Sequence, residues 1–184
     1  MDAYTAILTR SSVRNYLNKA IARNQIDRLI NAAIHAPSAA NRQEWHFTVI
    51  TDQSLLDKIS NDAKSFMTHT RPIELPETLY DKLQRENFNI FYNAPLLIVI
   101  SGELGKPWMA EECALAAQNM MLLAHADGLG SCWIGLGQPY LATQEGKDLL
   151  DLPPLYYPFA PVVFGHPSEV PNQTIRMKAK TNIY

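Results

Sequence analysis

The chain has 184 residues and a net charge of -2 at pH 7, with 47% hydrophobic and 18% charged residues. That length suits one domain with a sizeable core, and that composition excludes a disordered chain. The lack of a basic block argues against nucleic acid as a partner. The longest apolar run, Ala94 to Ile100, is far short of the roughly 20 residues that span a bilayer. The opening MDAYTAILTRSSVRNY lacks the apolar core of a signal peptide. Cys113 and Cys132 lie in apolar surroundings with no paired pattern, so the expected location is a reducing cytoplasm.

In chain order, Asp2 is placed to cap a short helix carrying Ala6, Ile7 and Leu8. That helix runs into Arg10-Ser11-Ser12-Val13-Arg14-Asn15-Tyr16. Two arginines four residues apart, with two hydroxyls between them, suit the bidentate grip of a phosphate; a solvated helix end and turn is the alternative. Asn24, with Asp27 three residues on, predicts the start of a helix. Its buried face is Ile26, Leu29, Ile30, Ala33 and Ile34, and it stops before Pro37. The loop that follows, Ala36-Pro37-Ser38-Ala39-Ala40-Asn41-Arg42-Gln43-Glu44-Trp45, combines small residues with two side-chain amides. It suits a planar heterocycle with mixed donors and acceptors on one edge, or is a plain loop.

His46 to Thr51 alternates like a strand, and Asp52 caps a helix bearing Leu55, Leu56, Ile59, Ala63 and Phe66. Thr68 to Pro76 reads as a surface loop and about Glu77 to Phe88 as another helix. Asn93-Ala94-Pro95 punctuates before a buried strand, Leu96 to Ser101, and Pro107 suits the first turn of the next helix. That helix opens with Glu111 and Glu112 and is stopped by Gly128. Its face of Cys113, Ala114, Ala117, Met120, Met121 and Ala124 is mostly small, which suits close approach by a second copy of the chain or, as the alternative, an ordinary core helix of this chain. A short strand in GLGSCWIGLG, a helix around Thr143 to Leu150, and a strand from Pro158 to Gly165 complete the chain. The tail contains Arg176-Met177-Lys178-Ala179-Lys180.

The glycines of Gly128 to Gly137 follow a helix and precede a strand, the reverse of a dinucleotide fingerprint. No Walker lysine, nucleophile-elbow serine or histidine pair with metal-ligand spacing is present. With no strong side-chain nucleophile or acid–base pair, an enzyme of this sequence needs a bound organic cofactor to carry its reaction.

Taken together and in order, these stretches resemble the nitroreductase family of FMN-dependent oxidoreductases. The resemblance rests on Arg10-Ser11-Ser12-Val13-Arg14, on Ala36-Pro37-Ser38 with Asn41, Gln43, Trp45 and Phe47, and on Asn93-Ala94-Pro95. Gln118-Asn119, Gly128 to Gly135 and Arg176-Met177-Lys178 extend it, so that it covers about residues 4 to 180. Glu44 replaces a usual proline, and the segment from Lys64 to Arg85 matches no family pattern.

The resemblance implies an α+β fold in a single FMN-binding domain, residues 1–184, with a central mixed sheet flanked by helices. It also implies a homodimer with an exchanged C-terminal tail and FMN at the interface. By the same resemblance, Arg10 and Ser12, beside Ser11, hold the phosphate with Arg176 and Lys178, and Arg14 approaches the N1/O2 edge of the flavin. Pro37, Ser38, Ala39, Ala40 and Asn41, with Gln43 nearby, come from the partner to line the ribityl chain and ring. Cys132, Trp133, Ile134 and Gly135 run along the ring, with a backbone N–H toward N5. The implied reaction is ping-pong hydride transfer from NADH or NADPH to a small electron-poor acceptor such as a nitroaromatic or quinone. The alternatives are dehalogenation or flavin breakdown on the same fold, and a non-catalytic flavin-binding dimer.

Overall fold

The computed structural model describes residues 1–169 and 175–184. Its helices are α1 Ala3–Thr9, α2 Arg23–Ile34, α3 Gln53–Thr70, α4 Glu77–Leu83, α5 Met109–Ala126, α6 Gln138–Leu141 and α7 Gln144–Leu149. Its strands are β1 His46–Ile50, β2 Leu96–Glu103, β3 Gly130–Trp133 and β4 Tyr156–Gly165.

Strand β2 is buried on both faces, as its unbroken apolar run requires. Leu97 and Val99 point to one core, built from α3, α4 and α6 residues such as Leu56, Ile59, Leu83 and Leu141. Leu96, Ile98 and Ile100 point to the other, built from Leu29, Ala33, Ala117, Met120 and Ala124 of α2 and α5. Period-two alternation thus puts one helical layer on each side of the sheet. The strand order is β1-β2-β4-β3, and every strand pairing is antiparallel. The expected mixed sheet is therefore corrected. Among the described residues, parallel pairing is confined to an isolated bridge between Ser12 and Ser131.

Helix α5 ends as its sequence requires. Gly128 takes φ +77, its N–H donates to the His125 carbonyl at 3.1 Å, and Leu129 N–H donates to Ala124 at 2.7 Å. This is a Schellman closure, in which a left-handed glycine lets two late carbonyls find donors. The small face is another matter. Cys113, Ala117, Met120 and Ala124 are 0% exposed and lie in this chain's own core, so that face is not free for a second copy. The exposed side of α5 carries Glu111, Leu115 and Gln118 instead.

Several boundaries differ from the sequence expectation. Helix α2 begins one residue early, where Gln25 Oε1 accepts from the Ala22 N–H, while Asp27 pairs with Arg23 at 2.8 Å. Helix α3 continues through Thr70, and its late hydroxyls at Thr68 and Thr70 satisfy carbonyls of the previous turn. Helix α4 stops at Leu83 rather than Phe88. Pro107 lies outside α5, which is entered through Trp108 at φ 62. Strand β4 starts two residues before Pro158.

The unplaced segment from Lys64 to Arg85 is fastened at both ends. The nearly buried Lys64 donates from Nζ to the Arg85 carbonyl at 2.9 Å. Arg71 pairs with Glu77 at 2.8 Å and lies over the Tyr80 ring at 4.3 Å. The Tyr80 hydroxyl donates to the Ile73 carbonyl at 2.8 Å.

Candidate functional site

The stretch from Arg10 to Tyr16 leaves the helix at an extended Arg10 and lies along β3. Val13 N–H donates to the Ser131 carbonyl at 3.0 Å, and the Ser12–Ser131 bridge sets the register. On its far side Leu17 N–H donates to His166 and Ser168 N–H to Asn15. Gly130 makes the approach possible, since a Cβ there would meet the Val13 side chain at 2.7 Å. Two motifs 120 residues apart in sequence become neighbouring extended segments.

Arg10 is half-buried at the end of α1, and its Nη1 has no hydrogen-bond partner among the described residues. The buried hydroxyl of Ser11 is unpartnered too. Burial, and then Arg176, depress the Arg10 pKa, so the tail arginine lies near enough to be felt. Two neighbouring cations with an unsatisfied buried N–H call for an anion. Lys178 is exposed in the tail. Residues 170–174, where the tail expected to cross to a partner begins, lie outside the described residues.

His125 joins this cluster, which sequence reasoning missed. Its Nε2 lies 2.7 Å from Thr9 Oγ1, whose own proton goes to the Thr5 carbonyl at 2.7 Å. With that proton spent, Oγ1 accepts and Nε2 carries the hydrogen. Burial, and then Arg10, lower the His125 pKa. The signal available in the sequence was only its place one turn before Gly128.

Arg14 is exposed and lines a cavity of about 680 Å³ together with Cys132, Trp133, Ile134 and Gly135. The structure brings these five expected residues together. Tyr92 joins them at φ 56; burial raises its phenol pKa and Arg14 opposes that. The buried Cys132 thiol is likewise pushed up by burial, against the pull of Arg14, the Ser12 hydroxyl and Arg10, and is no thiolate. A Cβ on Gly135 would meet nothing within 4 Å, so no intrachain packing requires that glycine. Ile73, Leu75 and Leu79, from the segment whose role the sequence left open, line the same cavity with Phe88.

The loop from Pro37 to Gln43 is built for exposure of its backbone. Ala40, Asn41 and Gln43 take φ of 52, 56 and 55, which is costly for residues with a Cβ. The loop is held by Ser38 Oγ, which accepts from Gln43 N–H at 3.1 Å, and by Glu112, which accepts from Ala39 N–H at 2.8 Å. Glu44 closes it through ion pairs to Arg42 at 3.4 Å and Lys106 at 3.3 Å. It anchors at the start of α5, whereas Thr9, next to Arg10, bonds His125 at the other end. Thirteen residues of helix separate those anchors, about 20 Å. Within one chain the two halves of the expected site are not brought together.

Among the described residues no helix is long and apolar enough to cross a membrane, and no His, Cys, Asp and Glu group is arranged to hold a metal.

The family model described as "Nitroreductase family" matches residues 7–166. The chain is 30% identical over 177 residues to a "Putative NADH dehydrogenase/NAD(P)H nitroreductase" of Methanothermobacter thermautotrophicus, covering 93% of this chain and 80% of that one. Among solved structures it is similar to an FMN-dependent nitroreductase from Clostridium difficile, with 26% identity, a TM-score of 0.81 and 99% of each chain covered. It shares its fold with a nitroreductase with bound FMN from Bacteroides fragilis, at 24% identity and a TM-score of 0.87 over 100% of both chains.

Proposed function

The chain belongs to the nitroreductase family, and from that membership we propose an FMN-dependent NAD(P)H oxidoreductase formed by one domain over residues 1–184. The observation that carries the reading is the register of Ser12 beside Ser131. It puts Arg14 beside Cys132 to Gly135 on one cavity and supports a phosphate site at the adjoining Arg10, which feels the charge of Arg176.

The residues fit a flavin mononucleotide on their own chemistry. A phosphate supplies acceptors for the unpartnered Arg10 Nη1 and Ser11 hydroxyl, with Ser12, Arg176 and Lys178 completing the grip. Gly135 leaves room for a ring along the backbone. Arg14 would then approach the N1/O2 edge. Bound FMN supplies the hydride-accepting and hydride-donating chemistry at N5. The chain's own part is to orient it, to place a cation beside the edge that gains negative charge, and to exclude water with the apolar wall. The nicotinamide and the electron-poor acceptor occupy the one cavity in turn, a ping-pong order.

The second half of the site comes from a second copy. The loop of Pro37, Ser38, Ala39, Ala40, Asn41 and Gln43 lies too far from Arg10 in its own chain to share one flavin with it. Tyr4, Ile7 and Leu8 on α1 are 55–71% exposed, and Leu115 on the outer side of α5 is 44% exposed. Helices α1 and α5 pack together, and their outer sides offer the homodimer face that the small side of α5 does not. The tail residues Ile175, Met177 and Ile183, all above 90% exposed, suit burial on that partner.

The test is the absorption spectrum of the purified protein and the flavin it releases on denaturation. A yellow protein that releases FMN and is bleached by NADH or NADPH supports the reading. A protein that neither carries nor binds FMN on titration overturns it.

A further inference from the structure

The cavity beside Arg14 has an unequal charge balance. Its walls are apolar apart from Arg14, Lys82, Gln138 and the polar groups of Tyr92, Cys132 and Trp133, and no carboxylate lines it. Arg14 belongs to the flavin edge in the reading above. Lys82 is therefore the remaining charge for whatever molecule enters over the ring.

Lys82 lies near the end of α4, exposed, with no ion pair or side-chain hydrogen bond among the described residues. Its neighbours are fixed. Arg71, another cation of this segment, is committed to Glu77 and to the Tyr80 ring. Tyr80 is 3% exposed and bonded to the Ile73 carbonyl, so the segment carrying Ile73, Leu75 and Leu79 is pinned to the same helix. Lys82 thus stands at a fixed place on a wall whose remaining side chains are apolar. Such a wall selects a flat apolar body by area, and one rim cation selects the sign of what that body carries.

We propose that Lys82 makes the acceptor site prefer planar apolar acceptors bearing a carboxylate or sulfonate over their uncharged counterparts, an inference that rests on the oxidoreductase reading. The ammonium is solvent-exposed, so the preference is modest: an exposed charge pair corresponds to about a two- to fivefold change in affinity. The same exposure makes the preference sensitive to salt.

The test uses the FMN-loaded protein and has a binding arm and a turnover arm. Calorimetry compares 2-naphthoate with 2-naphthamide, which bind without being reduced. Steady-state assays compare kcat/KM for 4-nitrobenzoate and 4-nitrobenzamide at fixed nicotinamide. In both arms the anion-to-amide ratio is compared between proteins, so intrinsic differences between the compounds cancel. Lys82→Gln should lower both ratios about two- to fivefold, Lys82→Arg should keep them, and high salt should lower the wild-type ratios toward those of Lys82→Gln. Ratios unchanged in Lys82→Gln overturn the proposal, as does an effect confined to the KM of the nicotinamide. Failure of the oxidoreductase reading is seen separately, as no turnover of the uncharged 4-nitrobenzamide by the wild type.

Discussion

The Ala39 amide donates to Oε1 of Glu112 at 2.8 Å, joining two positions 73 residues apart. Glu112 is 3% exposed and its Oε2 has no hydrogen-bond partner among the described residues, so one buried carboxylate fixes the loop from Pro37 to Gln43 to the first turn of α5. Removing the acceptor strands a backbone N–H in a loop that already holds three left-handed residues. Glu112→Ala should cost about 1–3 kcal/mol in urea unfolding, and Glu112→Gln, which keeps an acceptor at Oε1, distinctly less. Equal losses would show that the Ala39 contact contributes nothing.

Arg10 and Arg14 are four residues apart and should fail differently. Arg10→Ala removes a charged partner of a bound dianion, about 1.5–3 kcal/mol, or roughly ten- to a hundredfold in FMN affinity. Arg14→Ala should instead lower the two-electron potential by some tens of millivolts, since about 30 mV corresponds to about 1.4 kcal/mol for a two-electron couple. Potentiometric titration of both variants at saturating FMN checks this. A larger shift in Arg10→Ala would reverse the two assignments.

Leu115 and Ala117 are two residues apart on α5, one 44% and the other 0% exposed. Leu115→Asp should leave the chain folded and shift it from dimer to monomer in sedimentation. Ala117→Arg puts an unpaired charge into the chain's own core and should lose folded circular dichroism altogether, at a cost of several kcal/mol. A wild-type protein that sediments as a folded monomer at micromolar concentration contradicts the dimer.

His125 gives the flavin-free protein a pH dependence of known sign. Its folded pKa lies below the ordinary 6.5 because of burial and then Arg10. The unfolded chain therefore takes up the proton first, so stability is fully present above about pH 6.5 and is lost as pH falls through the folded value. Urea unfolding of His125→Gln should show a shallower fall than wild type between about pH 7 and 5. Saturating FMN, whose phosphate would offset the Arg10 charge, should shrink the wild-type fall as well.

Local chemistry was legible from residue order. The apolar run of β2, the Asp2 and Asp52 caps and the glycine stop of α5 each depend on near neighbours, and each stands where the sequence placed it. The paired arginines at 10 and 14 were legible for the same reason, since both lie on one short segment. Direction was not legible. Periodicity marks which side of a helix is apolar but not what covers it, so the small face of α5 suited a second copy equally well until β2, β4 and α2 were seen to cover it. The segment from Lys64 to Arg85 stayed unread because a buried ammonium on distant carbonyls and an arginine over a tyrosine ring leave no local pattern. The sequence by itself determined most of the elements and the pairing of two arginines four residues apart on one short segment. Only the tertiary structure decided that Ser12 lies beside Ser131, that Lys82 lines the same cavity as Arg14, and that the α5 anchors of the loop from Pro37 to Gln43 and of Thr9 stand about 20 Å apart in one chain. Those are contacts between residues far apart in sequence, set by packing a whole core at once rather than by the preference of any one stretch.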